Sequence, residues 1–437
     1  MRRCAARLRD FCRMTCRGAT RYVTFLWDCF RMSFLGGWRY HLWMTVLTLV
    51  ALAGLYSYCQ QLVHGLITTG MTDQVSWGLY IANFTYLVGL AAAAAMLVIP
   101  VYVYRNMHLH DVVIFGELLA VAVIIMCLLF VMADLGRPDR FLHLFWRFNW
   151  PMSMLTWDVI ALNGYLLLNL HICGYLIYCA YCRREPSPLF YVPFVFVAIA
   201  WAVSIHTVTA FLYVGLGGRP FWNSAIIAPR FLASAFAAGP AFIILTLQIV
   251  RRFTSHRVHD DALLTLRRIV QVAMIINVFL LACEVFTEFY ADSAHVASAR
   301  YLYFGLNGRR ALVPWIWTAI SMNLSATVLL MLPASRGLRV LNIACLLAIV
   351  GIWIEKGMGL IVPAFVPTPL GEIVEYLPTM QEVIICLGIW AFGLLLYTVF
   401  VRVSVPVLAG EITYERRAGR RGLHQPAEHV LSPEPLE

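Results

Sequence analysis

The stretch WRFNWPMSMLTWDVIALNGYLLLNL, Trp146–Leu170, decides how the chain is read. From Trp157 onward it is an apolar helix, and a bilayer span takes roughly 20 such residues. Asp158 stands near its start. A carboxylate at that depth is costly in lipid unless something uses or pairs it. Two readings follow: an arginine holds it as a structural ion pair, or it accepts and donates protons.

The rest of the chain extends the membrane reading. It is 61% hydrophobic and 13% charged, where a soluble domain is near half apolar and a quarter charged. The sequence predicts an all-α polytopic membrane protein with ten spans, at 42–68, 76–104, 111–134, 153–181, 188–216, 226–251, 266–290, 310–332, 338–356 and 381–403. An even number puts both termini on one side. With that side cytoplasmic, the N-terminal arm, the even-numbered loops and the tail hold 24 of the 32 arginines, and the odd-numbered loops hold 8 plus the one lysine, Lys356. Basic residues mark the cytoplasmic side. Both termini are therefore expected in the cytoplasm, in a multi-pass protein of the bacterial inner (cytoplasmic) membrane. The net charge of +10 then belongs to the lipid bilayer, not to nucleic acid. The shortage of lysine reads as codon bias. The first apolar run begins near His41 and is too long for a signal-peptide core, so it reads as an uncleaved span.

Residues 1–40 form a basic arm alternating Arg with Phe, Trp and Cys. It reads as an interfacial segment on anionic lipid or as a disordered arm. Residues 41–75 are the first span and its outer loop. Residues 76–216 and 226–356 are expected to be two four-helix bundles. Residues 357–403 hold an outer loop and the last span, and 404–437 a disordered cytoplasmic tail. WGLYIANFTYLVGLAAAA (77–94) and WNSAIIAPRFLASAFAAG (222–239) echo one another at the entrances of spans two and six, with Asn83 and Arg230 just inside. Such an echo suits a repeat about an axis along the membrane normal.

Most ionisable groups at membrane depth fall near the outer end. ADLGRPDRFLHLFWRF (133–148) holds Asp134, Arg137, Asp139, Arg140, His143 and Arg147. Ion pairs among Asp134, Arg137, Asp139 and Arg140 either fold the loop back or close a buried polar pocket. At 100° per residue, Asp158, Tyr165 and Asn169 share one helix face. His143 sits just upstream, and His changes charge in the physiological range, so His143 and Asp158 form a candidate pair for taking protons from a hydroxyl. In span seven, Asn277, Glu284 and Glu288 share a face, with Arg230 as candidate partner. With Glu355 and Glu117 they form either a proton path through the second bundle or structural ion pairs.

Other chemistries find no motif. The twelve cysteines lack the four-thiolate spacing of an iron–sulfur cluster. His64, His171 and His206 do not make a haem arrangement, and His171 and His206 read as packed or hydrogen-bonded core residues. No Walker A, zinc or nucleophile-elbow motif is present. No haem or iron–sulfur cluster is expected in this chain.

The stretches SWGLYIANFTYLVGLAAAA (76–94), ADLGRPDRFLHL (133–144), WPMSMLTWDVIALNGYLLLN (150–169), GRPFWNSAIIAPRFLASAFAAGPA (218–241) and PAFVPTPLGEIVEYLPT (363–379) together resemble the NrfD/PsrC family of quinone-interacting membrane subunits. Within it the nearest likeness is to the DsrP branch of the DsrMKJOP complex, linked to dissimilatory sulfite reductase. The resemblance implies a subunit without a redox cofactor of its own. It implies menaquinol or ubiquinol (menaquinone or ubiquinone when oxidised) as substrate near the outer face, and electron exchange with a periplasmic-side iron–sulfur, ferredoxin-like partner among further subunits such as DsrMKJO. Asp158 and His143 then become the catalytic pair, Asn83, Tyr80, Tyr165 and Asn169 line the quinone, and Glu284, Glu288, Arg230 and Asn277 mark a proton path. An alternative-complex-III-like or hydrogenase-linked oxidoreductase subunit, a proton-coupled transporter and a passive membrane anchor are the competing readings. Polar groups gathered at one lip, with proline mostly in loops, favour quinone chemistry over transport.

Overall fold

The structure is a computed structural model of the 437-residue chain. It describes residues 19–91, 97–98, 101, 110–147, 149–254, 258–290 and 296–415. These hold helices α1 (19–33), α2 (Trp38–His64), α3 (Leu79–Ala91), α4 (His110–Asp134), α5 (Met154–Tyr181), α6 (Pro188–Val214), α7 (Ile227–Phe253), α8 (Asp260–Tyr290), α9 (Val296–Tyr303), α10 (Val313–Met331), α11 (Leu338–Lys356) and α12 (Met380–Leu408). Among the described residues there is no β-strand, only an isolated bridge between Leu306 and Arg309.

Among the described residues nine helical segments are long and apolar enough to cross a membrane, one of them running Leu338–Phe365. They coincide with nine of the ten expected spans. The remaining one, expected at 76–104, begins as the shorter apolar α3, and much of its second half lies outside the described residues. The protein is an all-α multi-pass membrane protein. Such a chain must close its backbone hydrogen bonds within each helix, because lipid supplies no partners.

Burial sorts the helices. Every residue of α3 except Gly89 is buried, and most of the apolar stretch of α4 is too, whereas α2 keeps most of its surface exposed. A helix apolar all round is either central or lipid-facing; α3 and α4 are central, α2 faces lipid. Helix α3 packs on α4 and α7; α7 also packs on α6, α8 and α11; α8 meets α10, and α10 meets α11. Helix α7 is thus shared between the helices before it and those after it.

Close approach explains two glycine positions. Helices α2 and α12 cross at Gly54 and Gly388, where a Cβ on Gly388 would lie 2.6 Å from the Gly54 Cα. Small residues at such crossings let helices gain dispersion contact where lipid offers no hydrophobic drive. Gly78, just before α3, leaves room for the Tyr376 ring. The Tyr376 hydroxyl accepts from the Leu79 N–H at 2.8 Å and donates to Glu382 Oε1 at 2.7 Å. Glu382 also accepts from the Gly70 and Thr379 N–H groups. SWGLY and EYLPT, nearly 300 residues apart, therefore meet in one hydrogen-bonded joint.

Helices α2–α12, apart from the C-terminal ends of α5 and α12, belong to the larger compact unit, Gly36–Cys173 with Pro188–Val401. A second unit comprises, of the described residues, 19–35, 174–187 and 402–415. In it Tyr181 donates to Asp28 Oδ2 at 2.7 Å, Phe25 packs against Tyr178 and Tyr181, and Arg402 Nε donates to the Leu35 carbonyl. The expected basic arm is helical over 19–33; its first 18 residues, and the tail from 416, lie outside the described residues.

Candidate functional site

Two polar clusters lie inside the larger unit. The first is built on Asp158, in the second turn of α5 and 1% exposed. Thr209, on α6, donates from Oγ1 to Asp158 Oδ1 at 2.6 Å. One turn further along α6, the Tyr213 hydroxyl lies 2.5 Å from Thr85 Oγ1 on α3. Thr85 donates to the Ile81 carbonyl at 2.7 Å, so Tyr213 is the donor to Thr85. Tyr213 also joins an aromatic wall with Trp77, Trp222 and Phe365, ring centroids 5.3–5.9 Å apart. Arg219 lies over the Phe365 face at 4.3 Å.

The bonded partner of Asp158 is therefore a hydroxyl, not an arginine. Nor is it His143, which is exposed on a short helix, His143–Trp146; no bond joins the expected pair. Of the expected loop ion pairs only Arg137–Asp139 forms, at 3.0 Å, with both side chains more than half exposed. The hydrogen bond from Arg137 holds the Asp139 carboxyl below the usual carboxylate range. Arg140 is exposed, and Asp134 Oδ1 is buried with no hydrogen-bond partner. The loop ions thus close no buried pocket, because Arg137 and Asp139 satisfy each other in solvent.

The expected quinone-lining residues divide. Asn83 is saturated within the protein: its Oδ1 accepts the indole N–H of both Trp353 (3.0 Å) and Trp390 (2.8 Å), and its Nδ2 donates to the Leu79 carbonyl. That makes it a peg for three helices. Tyr80 donates to Gln61 Oε1 at 2.6 Å, and Gln61 donates to the Ala133 carbonyl. Tyr165 and Asn169 share a cavity of about 10 Å³ with Glu117, Val195 and Ala198. Glu117 sits there on α4 with neither carboxyl oxygen hydrogen-bonded, away from the second-bundle path expected to include it. His206 Nδ1 bonds the Ala202 carbonyl of its own helix, and the partly exposed His171 bonds the Phe190 carbonyl.

The second cluster gathers around Arg230, in the first turn of α7 and 4% exposed. Arg230 pairs with Glu284 of α8, and its Nη2 donates to Glu355 Oε1 of α11 at 2.8 Å. Asn323 of α10 and Asn277 of α8 donate to Glu355 Oε2, at 2.6 and 3.3 Å. Glu288, one turn beyond Glu284, lines the same cavity of about 10 Å³ with Tyr303 and Phe221. Lys356 Nζ lies 3.9 Å from Glu355 Oε1. Asn277, Glu284, Glu288, Arg230 and Glu355 thus come together as the helical spacing indicated. Thr209, Tyr213, Glu382, Asn323 and Lys356 were not singled out by the sequence. For Lys356 the signal was present: it is the one lysine in the chain.

A profile of the family described as polysulphide reductase, NrfD, matches residues 68–366, a range that holds both clusters. The chain belongs to the NrfD family. NrfD-type relatives include a protein of Halobacterium salinarum assigned as a membrane component of dimethyl sulfoxide reductase, 28% identical over 72% of this chain and 75% of its own. The Hdr-like menaquinol oxidoreductase integral membrane subunit of Archaeoglobus fulgidus is 23% identical over 83% of this chain and 93% of its own. A selenate reductase subunit of Mesobacillus selenatarsenatis is 26% identical over 84% and 94%.

Proposed function

We propose that the chain is the quinone-reactive membrane subunit of a respiratory oxidoreductase complex. Menaquinol or ubiquinol binds at the Asp158 end of the bundle and exchanges electrons with an iron–sulfur partner docked there. The supporting observation is that Asp158 is buried in a membrane helix against a threonine hydroxyl, and no ion pair joins it to an arginine among the described residues. A structural carboxylate at this depth is held by a cation or by several donors, as Tyr376 and two backbone N–H groups hold Glu382. One that handles protons needs a group that donates a hydrogen bond and leaves its charge free to change. Quinol oxidation releases two protons and two electrons; Asp158 takes a proton while the electrons leave toward the partner. The menaquinol named in the Archaeoglobus relative supports the substrate class.

The arginine count supports an orientation with both termini cytoplasmic and the Asp158 end outward, in a bacterial inner membrane. The 76–216 and 226–356 segments act as two bundles sharing α7. Within the family we place the chain near the DsrP branch, with DsrMKJO-type partners in dissimilatory sulfur metabolism.

The deciding experiment is quinol oxidation by the purified complex, with Asp158→Asn beside wild type. Loss of turnover with intact assembly supports the reading; full turnover sinks it. One observation favours transport instead: the span that begins at Leu338 breaks at Gly357, beside the Arg230 cluster, and broken helices are typical of transporter sites. Ion flux through vesicles holding this chain alone would select that reading.

A further inference from the structure

The chain has 32 arginines and one lysine, and that lysine is 3% exposed at membrane depth. A guanidinium keeps its charge wherever it is placed; an amine in a buried site exchanges its proton. Lys356 is the last residue of α11, which stops at Gly357 (φ −85°, ψ −100°) before a short helix, Met358–Ile361. A helix C-terminus favours a cation, and a break in the helix at this depth is tolerated where it borders a polar cavity.

Lys356 has two sides. On one, Nζ lies 3.9 Å from Glu355 Oε1, which Arg230 also holds. On the other, it lines a cavity of about 10 Å³ with Thr85, Tyr86 and Ser234, room for one water. No described residue hydrogen-bonds Nζ or the Tyr86 hydroxyl. From this cavity a line of hydroxyls leads back to Asp158: Thr85 to Tyr213 at 2.5 Å, then Thr209, one turn away on α6, to Asp158 at 2.6 Å. Lys356 thus lies between the cavity lined by Thr85 and the Glu355 carboxylate.

We propose that Lys356 is a proton-exchange site joining the Asp158 cluster to the Arg230 cluster, which rests on the reading of Asp158 as proton acceptor. The amine takes a proton from the Thr85–Tyr213 hydroxyls through a water held with Tyr86, and gives it to the Glu355 carboxylate. The N–H bond formed at Nζ breaks as the O–H bond forms on Glu355, the hydroxyls are reprotonated from Asp158, and no electron moves. The groups facing Lys356 are Glu355 on its own helix, Arg230 on α7 and Tyr86 on α3, with Glu284 and Glu288 of α8 and Tyr303 of α9 behind Arg230.

With one lysine, the full chain labelled with ¹⁵N at lysine Nζ gives a single side-chain resonance. We expect it to convert between ammonium and amine as the pH is varied, in Asp158→Asn as in wild type. A resonance fixed as ammonium throughout overturns the proposal. In vesicles holding the complete complex, Lys356→Met and Lys356→Arg should both lose about ten-fold in protons moved per electron. Arginine restores the charge but cannot discharge, so a purely structural cation would be rescued by it. Equal proton counts in Lys356→Arg and wild type, zero included, overturn the proposal. Full quinol turnover in Asp158→Asn removes the quinol reading and the Asp158 end of the route with it, whereas a lysine fixed as ammonium with turnover lost in Asp158→Asn overturns the exchange site alone.

Discussion

Thr209 Oγ1 donates to Asp158 Oδ1 at 2.6 Å, and both residues are essentially without solvent contact. This bond gives the carboxylate a fixed direction while leaving it without a counter-charge. Asp158→Asn keeps the shape and removes the proton acceptor, so quinol turnover should fall about 100-fold or more. Thr209→Val removes only the donor and should cost about 10-fold. Steady-state quinol oxidation measures both, and a Thr209→Val loss larger than that of Asp158→Asn would contradict the assignment.

Asn83 serves two indole N–H groups. In Asn83→Ala both lose their acceptor, and we expect about 2 kcal/mol of destabilisation, read as a lower unfolding temperature in detergent. Quinone affinity, measured on the protein that remains folded, should not change. A selective loss of affinity would return Asn83 to the quinone site.

Tyr376 joins the start of α3 to Glu382. Burial first, and Glu382 second, push its phenol well above the ordinary tyrosine range. Tyr376→Phe leaves the Leu79 N–H and one Glu382 oxygen without this partner, at a cost of about 1–3 kcal/mol. A folded-state pKa above the unfolded value of about 10 gives stability that is complete below that pH and declines above it. The difference between wild type and Tyr376→Phe in denaturant midpoint should therefore be constant up to about pH 10 and shrink beyond it.

Arg230 is shared by Glu284 and Glu355. Removing one partner of a buried ionic cluster costs about 3–5 kcal/mol because the other charges remain. Arg230→Met should fail to accumulate in membranes, while Arg230→Met with Glu284→Gln and Glu355→Gln should recover much of the yield. Equal yields of the single and triple variants would show that the cluster is not mutually neutralising.

The Arg137–Asp139 pair lies in solvent. Asp139→Asn should leave the unfolding temperature unchanged, since an exposed pair is screened and entropically costly to hold. A marked drop would restore the idea that these ions seal a pocket.

The spans were legible because a bilayer demands length and apolarity of each helix independently of its neighbours. The Asn277–Glu284–Glu288 face was legible for the same local reason: helical spacing alone sets it. Asn83 was misjudged because its partners, Trp353 and Trp390, lie 270 and 307 residues away, and single-sequence reading has no measure of such distances. His143 failed similarly: nearness to Asp158 along the chain says nothing about a loop that turns outward. The shortage of lysine reads as codon bias, and Lys356 acquires meaning only once its burial and the break after it are known.

The amide of Asn83 also bears on how the protein is made. Its oxygen enters the membrane with the second span, yet the two tryptophans that satisfy it arrive with the ninth and tenth. Until the ninth span is made that oxygen has neither indole to meet, and until the tenth it has only one. The central core therefore cannot lock before the chain has been extended past Trp390, and a truncation before Trp390 should be recognised and degraded as an unfinished product.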